Sequence, residues 1–365
     1  MTSETQNKKF RVGIIGLGFG GESALKGFRL LSNVEAVALA GLEEDRLAYL
    51  GDTYGIPVEG RYRDYQDLLA NEELDAVSIG VPNSLHAPIA IAALERGLHV
   101  LCEKPLARNS EEAEAMVQAA TKANRVLQVV FNHRERNDVQ TLKRYIDEGK
   151  LGNIYYAKAY WMRRRGIPGA GSWFVNKKMA GGGPLIDLGV HVLDMALYLL
   201  EEPSVLTVSA STYNELGSRG VGFDVNARKS GLGSGYEVED LATAFLRLST
   251  GGTLLLETSW ATHSSAQDDY GIVLYGTEGG AEIRVKNYNT ENTVTIYTDV
   301  AGVPSEIQPR VRGGQFHNAV TKEFIERVAG GNWSLYNGSD GLRRARVIDA
   351  CYASALQGRE VLIEA

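Results

Sequence analysis

Cysteine is nearly absent: the 365-residue chain has two, Cys102 and Cys351, each inside an apolar run. A disulfide framework is thereby excluded as the organising device, and both thiols are expected to be inert core side chains. Long apolar runs are missing as well. The longest, Val190 to Leu200, contains Asp194 and falls short of the roughly 18 residues that a membrane helix needs. The first ten residues, MTSETQNKKF, offer neither a hydrophobic signal region nor twin arginines, so a soluble protein in a reducing cytoplasm is expected. Nor is there an excess of positive charge. A net charge of −7, with one basic cluster at Arg163, Arg164 and Arg165, argues against nucleic acid and anionic lipid as partners. No internal repeat, low-complexity segment or long linker interrupts the chain, and the glycine-rich stretch from Gly217 to Gly235 is the segment best suited to a mobile loop.

What is present is an ordinary globular composition, 44% hydrophobic and 23% charged, over a length that suits two domains with sizeable cores. In the first third, the apolar runs RVGIIG, AVALAG, AVSIGVP, HVLCE and VLQVVF alternate with helical patterns, which predicts βαβ units around a parallel sheet. Pro88 suits a first helical turn, where its missing N–H has no partner to lose, and Asn109 or Ser110 followed by Glu111 and Glu112 makes a good helix start. After about Phe131 the rhythm changes. IYYAKAYW, VLTVSASTY, LATAFLRLS, GTLLLETSW, YGIVLYG and NTVTIYT follow one another mostly without helices, which predicts a large, mainly antiparallel sheet. Two helical patterns, roughly Gln315 to Ala329 and Ser339 to Leu356, close the chain. The expected fold is α/β, with a parallel-sheet domain over residues 1–131 and a second α/β domain with an open, mainly antiparallel sheet over 132–365.

The run VGIIGLGFGG contains Gly16-x-Gly18-x-x-Gly21 between a strand and a helical pattern. In a dinucleotide fold the first glycine permits the tight turn, the second admits the pyrophosphate, and the third lets helix and strand pack closely. The phosphates then rest on unpaired N–H groups at the helix N-terminus. The bare spacing also occurs in plain βα turns; its place after a strand near the N-terminus is what favours the cofactor. The second strand ends at Gly41, where an acidic residue would normally hold the adenosine ribose, and Glu43 and Glu44 follow at about the usual ~20-residue distance. No cation immediately follows Gly41 to meet a 2′-phosphate, and Arg46 lies one helical turn on, so NAD is expected, with NADP left open.

HVLCEKP puts Glu103 and Lys104 at a strand's C-terminal end, the edge at which open α/β sheets bind ligands. A lysine there can move a proton or stabilise a developing alkoxide. VPNSLHAP places Pro82, Asn83 and His86 at the end of the third strand, and His86 reads either as a cofactor contact or as a capping or core histidine. In GGGPLIDLGVHVLD, Asp187 and His191 stand four apart, so on a helix they share a face, about 5 to 6 Å apart at Cβ. A carboxylate there fixes the imidazole tautomer and raises its basicity, as a histidine base requires; the same spacing also occurs in plain buried pairs. No third ligand stands at a familiar spacing, so no metal site is expected.

With GLGFGG, VPNSLHAPIAIAALERGLHVLCEKPLA and GGGPLIDLGVHVLDMALYLL in this order, the chain resembles the Gfo/Idh/MocA family of sugar and inositol oxidoreductases, nearly end to end. The EKP triplet and the D-x-x-x-H segment are the specific parts. The resemblance implies a Rossmann domain, then an α/β domain whose open sheet forms a homodimer or homotetramer interface. It implies hydride transfer between NAD(P) and a hydroxyl or keto carbon of a cyclic sugar, sugar derivative or inositol. Lys104, Asp187 and His191 would be catalytic, with His191 as base. Gly16, Gly18, Phe19, Gly20, Gly21, Glu43, Pro82, Asn83, His86, Glu103 and Lys104 would hold the cofactor. Asn132 and Arg134 of NHRER, and Arg163 and Trp173 of RRRGIPGAGSWF, would join Lys104, Asp187 and His191 around the substrate. Gly41, where NAD-preferring relatives commonly have Asp, departs from the pattern. Two other readings share the same residues: a redox-neutral glycoside-cleaving enzyme that keeps its NAD, and a non-catalytic sugar or dinucleotide sensor.

Overall fold

The computed structural model describes residues 9–169, 171–223 and 235–363. Within them the chain forms two compact units, one of residues 1–132 with 316–342 and the other of 133–315 with 343–365. The first unit begins β1 (Phe10–Ile15), α1 (Phe19–Arg29), β2 (Val34–Ala40), α2 (Glu44–Tyr54), β3 (Arg61–Tyr62), α3 (Tyr65–Asn71), β4 (Ala76–Ile79), α4 (His86–Glu95), β5 (His99–Cys102), α5 (Ser110–Ala123) and β6 (Leu127–Val129). The strands form a sheet in the order β3-β2-β1-β4-β5-β6, and every pairing is parallel. The order reverses between β1 and β4, so the segments leaving these two strands flank the topological switch point where such sheets bind ligands. The expected starts at Pro88 and Asn109 lie in the first turn of α4 and at the cap of α5, where the Asn109 side chain accepts from Glu112 N–H at 2.9 Å.

In the second unit come α6 (Asn137–Asp147), β7 (Ile154–Arg163), α7 (Lys177–Ala180), α8 (Val190–Leu199), β8 (Val205–Tyr213), β9 (Leu241–Leu248), β10 (Thr253–Ser259), β11 (Asp268–Gly276), β12 (Gly280–Lys286), β13 (Val294–Val300) and β14 (Val303–Ile307). After them come α9 (His317–Gly330), α10 (Ser339–Gln357) and β15 (Val361–Leu362). The sheet runs β14-β13-β12-β11-β7-β10-β9-β8-β15, antiparallel except where β7 meets β10. Period-two alternation gives it two unlike faces. Ala157, Ala159, Leu246, Leu254, Leu256, Ile272 and Leu274 are buried on one, and α8 packs against β7 and β11. Phe245, Tyr275 and Tyr297 project from the other and are exposed.

Where the sequence placed all of 132–365 in one domain, the structure returns Asn132 and α9 to the first unit. The reason is packing: Val320, Phe324, Ile325 and Val328 join Leu25 and Phe28 of α1 in one core. Gly27 permits this, since a Cβ there would stand 2.3 Å from Thr321 Oγ1. Of the glycine-rich stretch expected to be mobile, Gly217–Arg219 form a 3-10 turn and residues 224–234 lie outside the described residues. Cys102 and Cys351 are buried free thiols, and burial pushes Cys351 up to about 12. No helix among the described residues is long and apolar enough to cross a membrane.

Candidate functional site

In the first unit, each glycine of the loop after β1 has a distinct reason. Gly16 has φ +101, and a Cβ there would stand 2.2 Å from the carbonyl oxygen of Gly80 in the segment after β4. A Cβ on Gly21 would lie 1.9 Å from Gly16 O, and one on Gly20 would lie 2.7 Å from Glu103 Cγ. Gly18 is different: nothing lies within 4 Å of its Cβ position. It is the N-cap of α1, whose first N–H groups have no partner within the helix. An open backbone at a helix N-terminus, with no side chain in the way, fits a pyrophosphate. Phe19 is 79% exposed beside it.

At the end of β2, Gly41 leaves room for the Leu17 side chain, which a Cβ would approach to 2.4 Å. Glu43 is the exposed N-cap of α2, and Glu44 pairs with Arg63. Arg46 donates to Leu17 O at 2.9 Å and pairs with Glu22, so the cation closest in sequence to Gly41 already has protein acceptors.

The segments after β4 and β5 are tied together by His86. The residue is 1% exposed, and its ring nitrogens lie 2.9 Å from Val81 O and 2.8 Å from Pro105 O. His86, read from sequence either as a cofactor contact or as a capping or core histidine, has a backbone carbonyl within hydrogen-bond distance of each ring nitrogen, and burial pushes its pKa down. It is a clasp between the Pro82 turn and the EKP turn; Asn83 is buried in the former, and Lys104, half-buried, precedes a cis peptide bond to Pro105 in the latter. Glu103 accepts from Lys104 N–H at 3.2 Å and faces His317 Nε2 at 3.4 Å. Asn132 Nδ2 lies 3.3 Å from the other nitrogen of His317, and the Phe19 ring meets the imidazole edge-on at 5.5 Å. His317, unforeseen in the sequence, thus gathers Phe19, Glu103 and Asn132.

In the second unit, Asp187 lies on a single π-turn, Leu185–Gly189, that runs into α8 with His191 in its first turn. The two were expected on one α-helix; the wider i→i+5 turn is a local departure of the kind often found at functional sites. Asp187 accepts from Trp260 Nε1 at 3.0 Å, and Trp260 is fully buried. The His191 ring lies 4.6 Å from the His133 ring and 5.6 Å from Trp161. Trp161 stacks on Tyr270 at 4.3 Å, because the two are direct partners across β7 and β11. The Tyr270 hydroxyl accepts from buried Arg136 at 2.8 Å, and Arg136 is held by Asp138. The base expected from sequence therefore stands among buried rings that sequence reasoning did not find.

Two of the expected substrate contacts, Arg134 and Arg163, have acidic partners within the protein. Arg134 gives Nε to Asp194 at 2.8 Å and pairs with it through Nη2. Asp194 also accepts from Arg344, which bonds Glu202 at 2.6 and 2.7 Å. Burial works to raise Glu202, but Arg344 and Arg134 bring it down to about 2. This network fixes the helix that carries His191. Asp194→Ala would leave two cations facing each other with one shared anion gone, and should lower stability by about 3–5 kcal/mol in a denaturant titration. An unchanged midpoint would show the network to be dispensable. Arg163 is engaged by Asp268 at 2.9 Å and Tyr288 at 2.7 Å, and Trp173 is half-buried and stacked on Phe174 at 3.8 Å.

Comparison with known proteins agrees with both halves of this architecture. Residues 10–131 match an oxidoreductase family with an NAD-binding Rossmann fold, and residues 139–282 match the Gfo/Idh/MocA C-terminal domain. The D-glucoside 3-dehydrogenase of Escherichia coli (strain K12) is 32% identical over 362 residues, which cover 99% of this chain and 99% of that protein. Levoglucosan dehydrogenase of Pseudarthrobacter phenanthrenivorans is 34% identical over 246 residues, 65% of this chain and 62% of that one. Among solved structures, an aldose-aldose oxidoreductase from Caulobacter crescentus complexed with glycerol superposes with a TM-score of 0.80 at 26% identity, over 97% of this chain and 100% of the other. A levoglucosan dehydrogenase in complex with NADH shares the fold at a TM-score of 0.84 and 24% identity, over 98% and 100% of the two chains. The chain is an NAD(P)-dependent oxidoreductase and belongs to the Gfo/Idh/MocA family.

Proposed function

We propose that the protein oxidises a hydroxyl carbon of a cyclic sugar, sugar derivative, inositol or glycoside, or runs the reverse reduction. The observation that carries this reading is the Asp187–His191 segment set among Trp161, His133 and Trp260 in a chain related over its whole length to a glucoside dehydrogenase. Bound in the Gly16–Gly21 loop, the nicotinamide would supply the two-electron acceptor for the hydride leaving the sugar carbon. His191 takes the hydroxyl proton on a ring nitrogen, Asp187, steadied by Trp260, orients that ring, and Lys104 Nζ holds the reacting oxygen. Asn132, through His317, orders the EKP edge, and Trp173 offers an aromatic face to a sugar. NAD is the expected dinucleotide, because Arg46 and Arg63 are both paired with protein acceptors.

The open sheet face, with Phe245, Tyr275 and Tyr297 exposed, supports a homodimer or homotetramer, which sedimentation of the purified protein reads. The two buried free thiols support a cytoplasmic location, which cell fractionation tests. The two relatives named above carry dehydrogenase names, and neither name favours redox-neutral cleavage or a non-catalytic sensor. Incubation with NAD or NADP and a panel of sugars, inositols and glycosides decides the reading. A steady rise in reduced-nicotinamide absorbance is expected with NAD; aglycone release without net absorbance change would replace this reading with redox-neutral cleavage.

A further inference from the structure

The three glycines before Asp187 have a buried counterpart that the proposed chemistry does not use. Glu239 is 8% exposed, and its carboxylate accepts from Gly183 N–H at 3.0 Å and Leu185 N–H at 3.1 Å. A third donor, the Tyr352 hydroxyl of α10, reaches it at 2.9 Å. Leu185 opens the π-turn that bears Asp187, and this turn continues directly into the helix that bears His191. The glycines are shaped to this anchor. A Cβ on Gly183 would stand 2.1 Å from Glu239 O, and one on Gly182 would stand 1.9 Å from the Tyr352 hydroxyl. Burial pushes Glu239 upward, and the two backbone N–H groups and Tyr352 oppose that shift.

We infer that Glu239, braced by Tyr352, is a positioning residue for the reaction: its carboxylate sets the pitch of the π-turn and thereby the placement of Asp187 and His191. A turn of this kind leaves its first N–H groups without intrahelical partners, and a bidentate carboxylate is what fixes them. Lateral displacement of a base by about 1 Å can cost ~10²-fold in rate, so the anchor acts on turnover and not on cofactor affinity. This inference rests on the dehydrogenase reading for its kinetic consequence, but its structural core can be read without activity.

The test uses the full-length protein carrying Glu239→Gln, which keeps the shape but turns an amide N–H toward one backbone donor, and separately Tyr352→Phe, which removes one donor of three. Glu239→Gln should lower kcat at least ~10-fold with KM and NADH affinity within about 2-fold, and Tyr352→Phe should lower kcat about 3-fold in the same pattern. In a nitrogen-15 spectrum of the indole N–H groups, the Trp260 signal, identified with Trp260→Phe, should move, because it reports the Asp187 carboxylate directly. Parent-like kcat with an unmoved Trp260 signal overturns the inference. So does a joint fall of kcat, NADH affinity and melting temperature, which would make Glu239 a general fold support. If Glu239→Gln does not fold, Tyr352→Phe decides by the same readouts. If the parent enzyme shows no turnover, the dehydrogenase reading fails, and the Trp260 signal alone supports or overturns the anchor.

Discussion

His191→Ala should lower kcat for alcohol oxidation at least ~10²-fold while leaving NADH binding unchanged, because it removes the proton acceptor and leaves the glycine loop itself intact. His191 is 9% exposed, and its ring faces those of His133 and Trp161. In the parent enzyme, kcat/KM for oxidation should rise with pH as the base loses its proton, since a protonated base cannot accept the hydroxyl proton. That rise should vanish in the variant. Steady-state kinetics across pH checks both, and a variant with turnover within about 3-fold of the parent would remove His191 from the chemistry.

Gly18→Asp should abolish measurable dinucleotide binding, weakening it at least ~10²-fold, with the fold intact, because it sets a carboxylate against the phosphates at a helix N-terminus. The structure makes this a clean experiment. A Cβ at Gly18 meets nothing within 4 Å, so the side chain is accommodated. Gly16→Ala is the informative contrast: its Cβ would stand 2.2 Å from Gly80 O at φ +101, so it should lose stability as well as binding. Calorimetric titration with NADH beside a melting curve separates the two. Undiminished NADH affinity in Gly18→Asp would place the cofactor elsewhere.

The residues of the site differ in how far sequence reveals them. The glycine loop is legible because local sequence carries it: strand, turn and helix N-terminus lie within a dozen residues, and Gly16 and Gly21 answer backbone demands. The open sheet was legible from period-two alternation in strands such as LATAFLRL. Asp187 and His191 stand four apart in the sequence, but the π-turn on which Asp187 lies is not legible there, since nothing local distinguishes it from an α-turn; Glu239, more than fifty residues on, accepts from Leu185 N–H at its start and from Gly183 N–H just before it. Which of its two readings His86 follows is not legible in the sequence, because its partners, Val81 O and Pro105 O, are main-chain atoms that leave no pattern. Trp161 and Tyr270 read as ordinary strand aromatics until the pairing of β7 with β11 stacks them beside His191. The acids that pair with Arg134 and Arg163, Asp194 and Asp268, lie far along the chain and are not legible from the local sequence.

The account stands on one transfer, from a sugar carbon to the nicotinamide, and mass analysis of the reduced cofactor after incubation with a perdeuterated sugar substrate follows it directly. Deuterium recovered in NADH, at a rate that collapses in His191→Ala, is the predicted result. Product sugar formed with no deuterium in the nucleotide would contradict it.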